Sequence, residues 1–452
     1  MSPLIALIGS IFAFFIVVVI HEYGHFIVAR FVGIKVLRFS IGFGKPIFKY
    51  RAKSGVEYVV GFLPFGGYVK MQDAMSAQDP SQSHLGSAGD PFESKSLLAR
   101  MAVVLAGPIA NLILATVIFA IVFMIGITQI KPIIGDVKPD SIASKAGLQS
   151  GDQIIQMGRW KTNDWQHVVM FLITHMGDKQ EIPIVLLPRN TQTPITRTIH
   201  LQHWQFDPLK PDLLSSLGFT PYVPNIPPII ASILPDSPAS KSDLRENDHI
   251  LEINHSPVLS WQALVKWVEK HPNQSAIVTI RRNNILKRIP IQIGEKDKMG
   301  FLGIHPKSIK IPESMQIKEQ YPWYLTGKPS VKLTEQWVIF HLVVIKQMLL
   351  GRISLKTLGG PVSIFQTAGM ASLEGLTTYL QFIALISVVL GVLNLLPIPA
   401  LDGGHFMFFV IEGVMRKSIP MRIQVLLINI GIILLLTMMV YATVNDLTRL
   451  LK

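Results

Sequence analysis

The chain has 452 residues, of which 49% are hydrophobic and only 16% charged. That is too apolar for an ordinary soluble protein and too polar for a bare membrane bundle, so membrane segments must alternate with soluble modules. The net charge of +13 does not indicate nucleic acid, because no nucleic-acid motif accompanies it, and the absence of cysteine excludes disulfides and thiolate metal sites.

The first apolar run, Leu4–Phe31, lacks the basic n-region of a signal peptide. Near its end stands His21-Glu22-Tyr23-Gly24-His25. On a helix, positions i and i+4 lie about 40° apart around the axis, so both imidazoles can face one metal ion. Glu22, on the same turn, can take a proton from a water on that ion. Ionisable groups at a membrane segment are costly unless they bind something, which favours a site over chance spacing.

Residues 40–71 alternate apolar and polar about Ser54-Gly55. Phe48, Tyr50, Tyr58, Val60 and Phe62 mark a β-hairpin expected to dip into the membrane beside the metal. Its edge could take up an unwound substrate segment as an added strand. Residues 72–94, rich in Ser, Gly, Asp and Gln, are expected to form a mobile cytoplasmic loop. A second span covers Leu97–Ile127.

An internal repeat follows. The sequence from Pro139-Asp140-Ser141 to Gly151-Asp152 returns one small domain later, from Pro235-Asp236-Ser237 to Asn247-Asp248. Each copy reads as a short helix, a turn and a strand, with a later amphipathic helix near Trp165–His175 and Trp261–His271. In the second copy Asp243 and Asn247 stand where the first has Gly147 and Gly151; Asn and Asp tolerate left-handed backbone better than most residues. The pattern resembles PDZ domains, which would place tandem modules at 131–215 and 225–305, with Phe206–Pro228 as linker. Such modules bind peptide termini by strand addition, or here act as a filter against bulky ectodomains.

Trp337 to Leu350 has helical periodicity, and Trp323, Tyr324 and Trp337 suit an interface, so an amphipathic helix on the outer leaflet is expected within 306–375. His341 on it reads as a packing residue. A third apolar stretch, Tyr379–Val414, is broken at Pro397 and Pro399, and a fourth covers Val425–Val444. Lys35, Arg38, Lys45, Lys49, Arg51, Lys53 and Lys70, then Lys95 and Arg100, then Arg416, Lys417 and Arg422 crowd the loops on one side. The positive-inside rule puts those loops in the cytoplasm, and both termini and 131–330 outside.

Catalytic zinc takes three protein ligands and leaves one position open. Asp402, the only acidic residue between Glu374 and Glu412, is the candidate third ligand, with His405 as its rival. Non-helical backbone around it is tolerated at membrane depth where it lines a site.

His21-Glu22-x-x-His25 on the first span, paired with Asn394-x-x-Pro397-x-Pro399-x-Leu401-Asp402-Gly403, resembles the site-2 protease family of intramembrane zinc metalloproteases. Gly42-Phe43-Gly44, Phe65 to Met71 and Ala106-Gly107-Pro108-Ile109-Ala110-Asn111 are similar to further elements of that family. The resemblance implies Zn2+ held by His21, His25 and Asp402, Glu22 as general base, and Asn394 on the substrate backbone. Asn111 is a second candidate to steady substrate, with packing as its alternative, and Gly42 and Gly44 are candidate substrate contacts on the hairpin. The architecture implied is a polytopic α-helical membrane protein of the bacterial inner membrane. It has four transmembrane helices, two inserted tandem PDZ-like α/β domains and a membrane-associated β-hairpin. Its parts would be a membrane core at 1–127, the two modules, a juxtamembrane segment at 306–375 and a second core at 376–452. The implied substrates are single-pass membrane proteins: an anti-sigma factor of the envelope stress response, and remnant signal peptides. A metal transporter would show repeated ligand clusters along a pathway, and a PDZ scaffold would have no use for Glu22.

Overall fold

A computed structural model describes residues 3–72, 90–202, 204–205, 207, 212–307 and 311–450. Most of the loop expected over 72–94, and residues 206 and 208–211 of the expected linker, lie outside these described residues.

Among the described residues, four helices are long and apolar enough to cross a membrane. They are α1 (Pro3–Phe31), α2 (Leu97–Ile125), α9 (Leu376–Leu395) and α11 (Met421–Leu450). In hydrocarbon a backbone has only itself to bond with, which makes such runs helical whatever their β-branched content. Their close approaches use small residues, as membrane helices require. A Cβ on Gly24 of α1 would stand 2.4 Å from the Ala106 carbonyl oxygen of α2, and one on Gly391 of α9 would stand 3.1 Å from that of Pro108. Apolar residues of α1, α2 and α9 (Val17, Phe119, Val122, Ile383, Val388) form the membrane core, while Leu426, Ile433, Leu436 and Val440 of α11 stay exposed as lipid-facing residues would.

The third apolar stretch is not one span. α9 ends at Leu395, residues 396–401 are non-helical, and α10 (Asp402–Met415) begins afresh. Pro397 and Pro399 lack the N–H groups a continuing helix would need. Gly403 and Gly404 let α10 start against the loop: a Cβ there would meet the Leu396 and Ile398 carbonyl oxygens at 2.3 and 2.2 Å.

Between α1 and α2 the strands β1 (Val36–Arg51) and β2 (Glu57–Met71) pair antiparallel with repeated bulges. Their base packs on Phe26 and Ala29 of α1 and Val103 of α2. Farther out, Phe43, Ile47, Phe48, Tyr50 and Phe62 are exposed.

After α2 comes β3 (Ile127–Ile130). It is followed by a unit of β4 (Ile134–Val137), α3 (Ile142–Lys145), β5 (Gln153–Met157), β6 (Trp160–Lys161), α4 (Trp165–Thr174), β7 (Glu181–Leu187), β8 (Ile195–His200), α5 (Leu213–Leu217) and β9 (Phe219–Pro221). Its strands run in the order β6-β5-β7-β8, with β4 paired to β9. The first part of the expected linker therefore belongs to this unit: Leu213, Leu217 and Phe219 are buried in its core, and the proline-dense connector starts only after Pro221.

The second unit has β10 (Ile230–Ile233), β11 (His249–Ile253), β12 (Ser256–Pro257), α6 (Trp261–Glu269), β13 (Ser275–Arg282), β14 (Ile285–Gln292), β15 (Gly294–Lys296), β16 (Met299–Phe301) and β17 (Ile304–Pro306). Its sheet order, β12-β11-β13-β14 with β10 on β17, repeats that of the first. The copies differ where the short helix was expected twice: residues 238–243 are a run of turns, starting at Pro238 and drawn off by the Ala239 N–H donating to the Leu302 carbonyl (2.9 Å). Asn247 takes the left-handed conformation (φ 68°), as its place opposite Gly151 requires. Asp243 does not: it pairs with Arg245 and Arg282 instead.

Asp248 is fully buried and binds Arg282 twice, Nε to Oδ1 at 2.7 Å and the guanidinium to Oδ2 at 2.8 Å. Asp248→Ala leaves that arginine without its buried partner. It should destabilise the second unit by about 3 kcal/mol, read as earlier cleavage of 229–306 in denaturant-titrated proteolysis, with bound metal unchanged.

β18 (Gln316–Glu319) returns to pair with β3, Ile130 facing Gln316. Then α7 (Gly327–Leu349) and α8 (Pro361–Glu374) lead to α9. α7 starts earlier than its expected counterpart, and one face of it packs inward. Leu333, Trp337, Val338 and Ile345 pack against the membrane core, and the Thr334 and Thr116 hydroxyls meet at 3.0 Å. At its far end Gln347 and Arg352 both donate to the Met176 carbonyl (3.2 and 2.6 Å), which ties the first unit to the core.

Candidate metal centre

α1 sets His21 and His25 one turn apart with their Nε2 atoms 3.3 Å from each other. α10 brings the third donor: Asp402 Oδ2 lies 3.2 Å from His21 Nε2 and 3.4 Å from His25 Nε2. A tetrahedral ion with donors at about 2.0–2.1 Å holds them about 3.3–3.4 Å apart. Oδ2 is buried without a hydrogen bond. A carboxylate oxygen in that state, facing two ring nitrogens at that spacing, fits a divalent cation. Among the described residues this is the one group of three such donors; His405 lines the same cleft but is not part of it. α10 is pinned at its other end by Arg100 of α2, whose guanidinium is 2.7 Å from Glu412.

α2 forms the back wall. Val103, Gly107 and Asn111 follow at four-residue steps, hence on one face. His25 Nδ1 donates to the Val103 carbonyl (2.8 Å), which turns Nε2 toward the centre. At Gly107 there is no room for a side chain: a Cβ would lie 2.2 Å from His25 Nε2. Glu22 faces a cavity of about 440 Å³ that the three donors share with Tyr68 and Gly67. A Cβ on Gly67 would meet the Glu22 side chain at 2.8 Å, so β2 roofs the glutamate as closely as a glycine allows.

The other candidates fall elsewhere. Asn111 has no exposed surface; its amide is 3.2 Å from His21 Nδ1, behind the ring. It is not among the residues that line the cavity. Asn394 is half-buried near the end of α9 and is not among the residues lining the cavity. Gly42 and Gly44, both at positive φ (81° and 88°), border a smaller hollow of about 90 Å³ on the far side of Tyr68. Val103, Gly67 and Gly107 were not anticipated individually. In sequence, Val103 is an ordinary residue of an apolar helix, while Gly107 and Gly67 lie in segments similar to family elements that assign them no role of their own.

Two histidines and an aspartate around one point, with a glutamate in the same cavity, are a group that could hold a metal ion beside a proton acceptor, carried on helices long and apolar enough to cross a membrane. Residues 9–438 match Peptidase family M50. The chain is 38% identical to the Protease RseP of Yersinia pestis, with 100% of both chains covered. It is 36% identical to the Regulator of sigma-E protease RseP of Escherichia coli (strain K12), with 98% of each covered, and 37% identical to the Regulator of sigma E protease of Haemophilus influenzae, with 100% of each covered. The chain belongs to peptidase family M50: it is a zinc metalloprotease of the site-2 type, acting within the membrane.

Proposed function

We propose that His21, His25 and Asp402 hold the zinc and that Glu22 moves the protons of peptide hydrolysis. The observation that carries this reading is the convergence of His21 and His25 with the remote Asp402 at 3.2 and 3.4 Å. Bound there, zinc supplies Lewis acidity, which makes water a nucleophile near neutral pH and polarises the scissile carbonyl. Glu22 takes the proton of the attacking water and delivers it to the leaving amine, as base and then acid. The exposed stretch of β1 and β2 offers an unwound substrate an edge to pair with, and Gly42 and Gly44 are assigned as contacts on it. Asn394 is assigned to the substrate backbone, reached once a substrate is seated.

The substrate we assign is a single-pass membrane protein of the anti-sigma type, on the strength of relatives named as regulators of sigma-E, with remnant signal peptides as a second class. The two repeated units are read as tandem PDZ-like modules on the periplasmic side, together with both termini. The basic loops beside α1 and α10 support a reading with the metal centre toward the cytoplasm.

The test is cleavage of a tagged single-span substrate by purified protein in detergent, with metal content measured. Asp402→Asn should weaken metal binding by more than the roughly 10–100-fold of an outer-shell change and abolish cutting. Full metal and full activity in that variant would remove Asp402 from the site.

A further inference from the structure

We propose that Asn111 is a positioning residue: its amide oxygen accepts the Nδ1–H of His21 and so fixes the ring that presents Nε2 to the metal. This rests on His21 being a ligand. A neutral imidazole bound through Nε2 carries its one N–H on Nδ1, and that hydrogen needs an acceptor. For His25 the acceptor is the Val103 carbonyl. For His21 the group in reach is the Asn111 amide, two helical turns along the same face of α2; as placed, its nitrogen is the end 3.2 Å from Nδ1. The two ends of an amide exchange by a half-turn of the side chain, and which end faces a ring is settled by hydrogen bonding. Here the Asn111 oxygen is buried with no hydrogen bond of its own. It is the end that a metal-bound ring calls for.

Packing alone does not account for this residue. Asn111 is wholly buried between apolar helices, where an amide is unfavourable unless it is used. Its backbone is also fixed, because Ser387 of α9 donates to the Asn111 carbonyl at 2.8 Å. α2 thus orients both histidines from behind, one through its backbone and one through a side chain.

The experiment compares Asn111→Leu, Asn111→Ala and Asn111→Asp in the purified full chain. Zinc affinity is measured by competition with a chromophoric chelator, and kcat and KM on a single-span substrate. Leu keeps the volume and loses the acceptor; Asp keeps an oxygen. Positioning predicts a 10–100-fold loss of zinc affinity for Leu and Ala, with lower kcat and unchanged KM, and recovery to within about tenfold of the parent for Asp. A packing role predicts the reverse order, since a buried carboxylate is then worse than leucine. Wild-type affinity in the Leu variant, or in the Ala variant should Leu fail to fold, overturns the proposal, and so does an Asp variant weaker than both. His21→Ala is the control: if it keeps its zinc, the ligand assignment fails, whatever Asn111 does.

Discussion

Glu22→Gln should stop proteolysis and leave the metal in place. Glutamine matches glutamate in shape and still hydrogen-bonds, but it takes no proton, and proton transfer by a placed side chain is worth about 10²–10⁴-fold. Metal should stay because the three donors that converge are His21, His25 and Asp402, with Glu22 beside them. The measurement is the rate of cutting of a tagged single-span substrate alongside the zinc content of the same preparation. A variant that cuts as fast as the parent would show that the chemistry lies elsewhere. One that loses both zinc and activity would make Glu22 a ligand.

Gly107→Ala should have an effect of similar size for an opposite reason. Alanine is the better helix former by about 1 kcal/mol, so α2 itself should gain. The added methyl, however, would sit 2.2 Å from His25 Nε2 and under 3 Å from its neighbouring ring carbons. α2 has little freedom to withdraw, since α9 passes close behind it: even a Cβ on Gly391 would stand 3.1 Å from the Pro108 carbonyl oxygen. The ring must turn, Nε2 leaves the centre, and zinc affinity should fall by at least the roughly 100-fold that outer-shell losses reach. Thermal unfolding with and without a chelator checks both halves. The parent should lose stability when stripped of zinc; the variant should show no such difference.

The candidate site stood out in the sequence because burying ionisable groups in apolar sequence is costly: His21, Glu22, His25 and Asp402 all lie in or beside apolar runs, against the blander readings of chance spacing and of a carboxylate capping a broken helix. The break before Asp402 was legible too, since Pro397 and Pro399 state it chemically. That α10 is a separate helix was harder to see, because its composition is as apolar as a span and only Gly403 and Gly404 mark the restart. The proline-dense connector masked α5 and β9, whose pairing with β4 is fixed by a partner far back in the chain. The place of Asn111 was not legible either. A lone amide in an apolar helix faces substrate or a neighbouring ring depending on rotation about the helix axis, and that rotation is set by Gly24 and Gly391 on two other helices.

The pairing of β3 with β18 has a consequence for how the molecule is made. Everything from 131 to 315 leaves the core and comes back at one clasp, Ile130 against Gln316. The two repeated units amount to the turn of a single very long hairpin. Closing a loop of that length is entropically unfavourable, but the cost grows only logarithmically, and it shrinks once the units inside have folded and drawn their ends together. The carboxylate half of the metal centre lies beyond the clasp and the histidine half before it. A nascent chain therefore carries only the two histidines throughout synthesis of the outer units, and the three donors can meet only after α10 has been made and has reached α1.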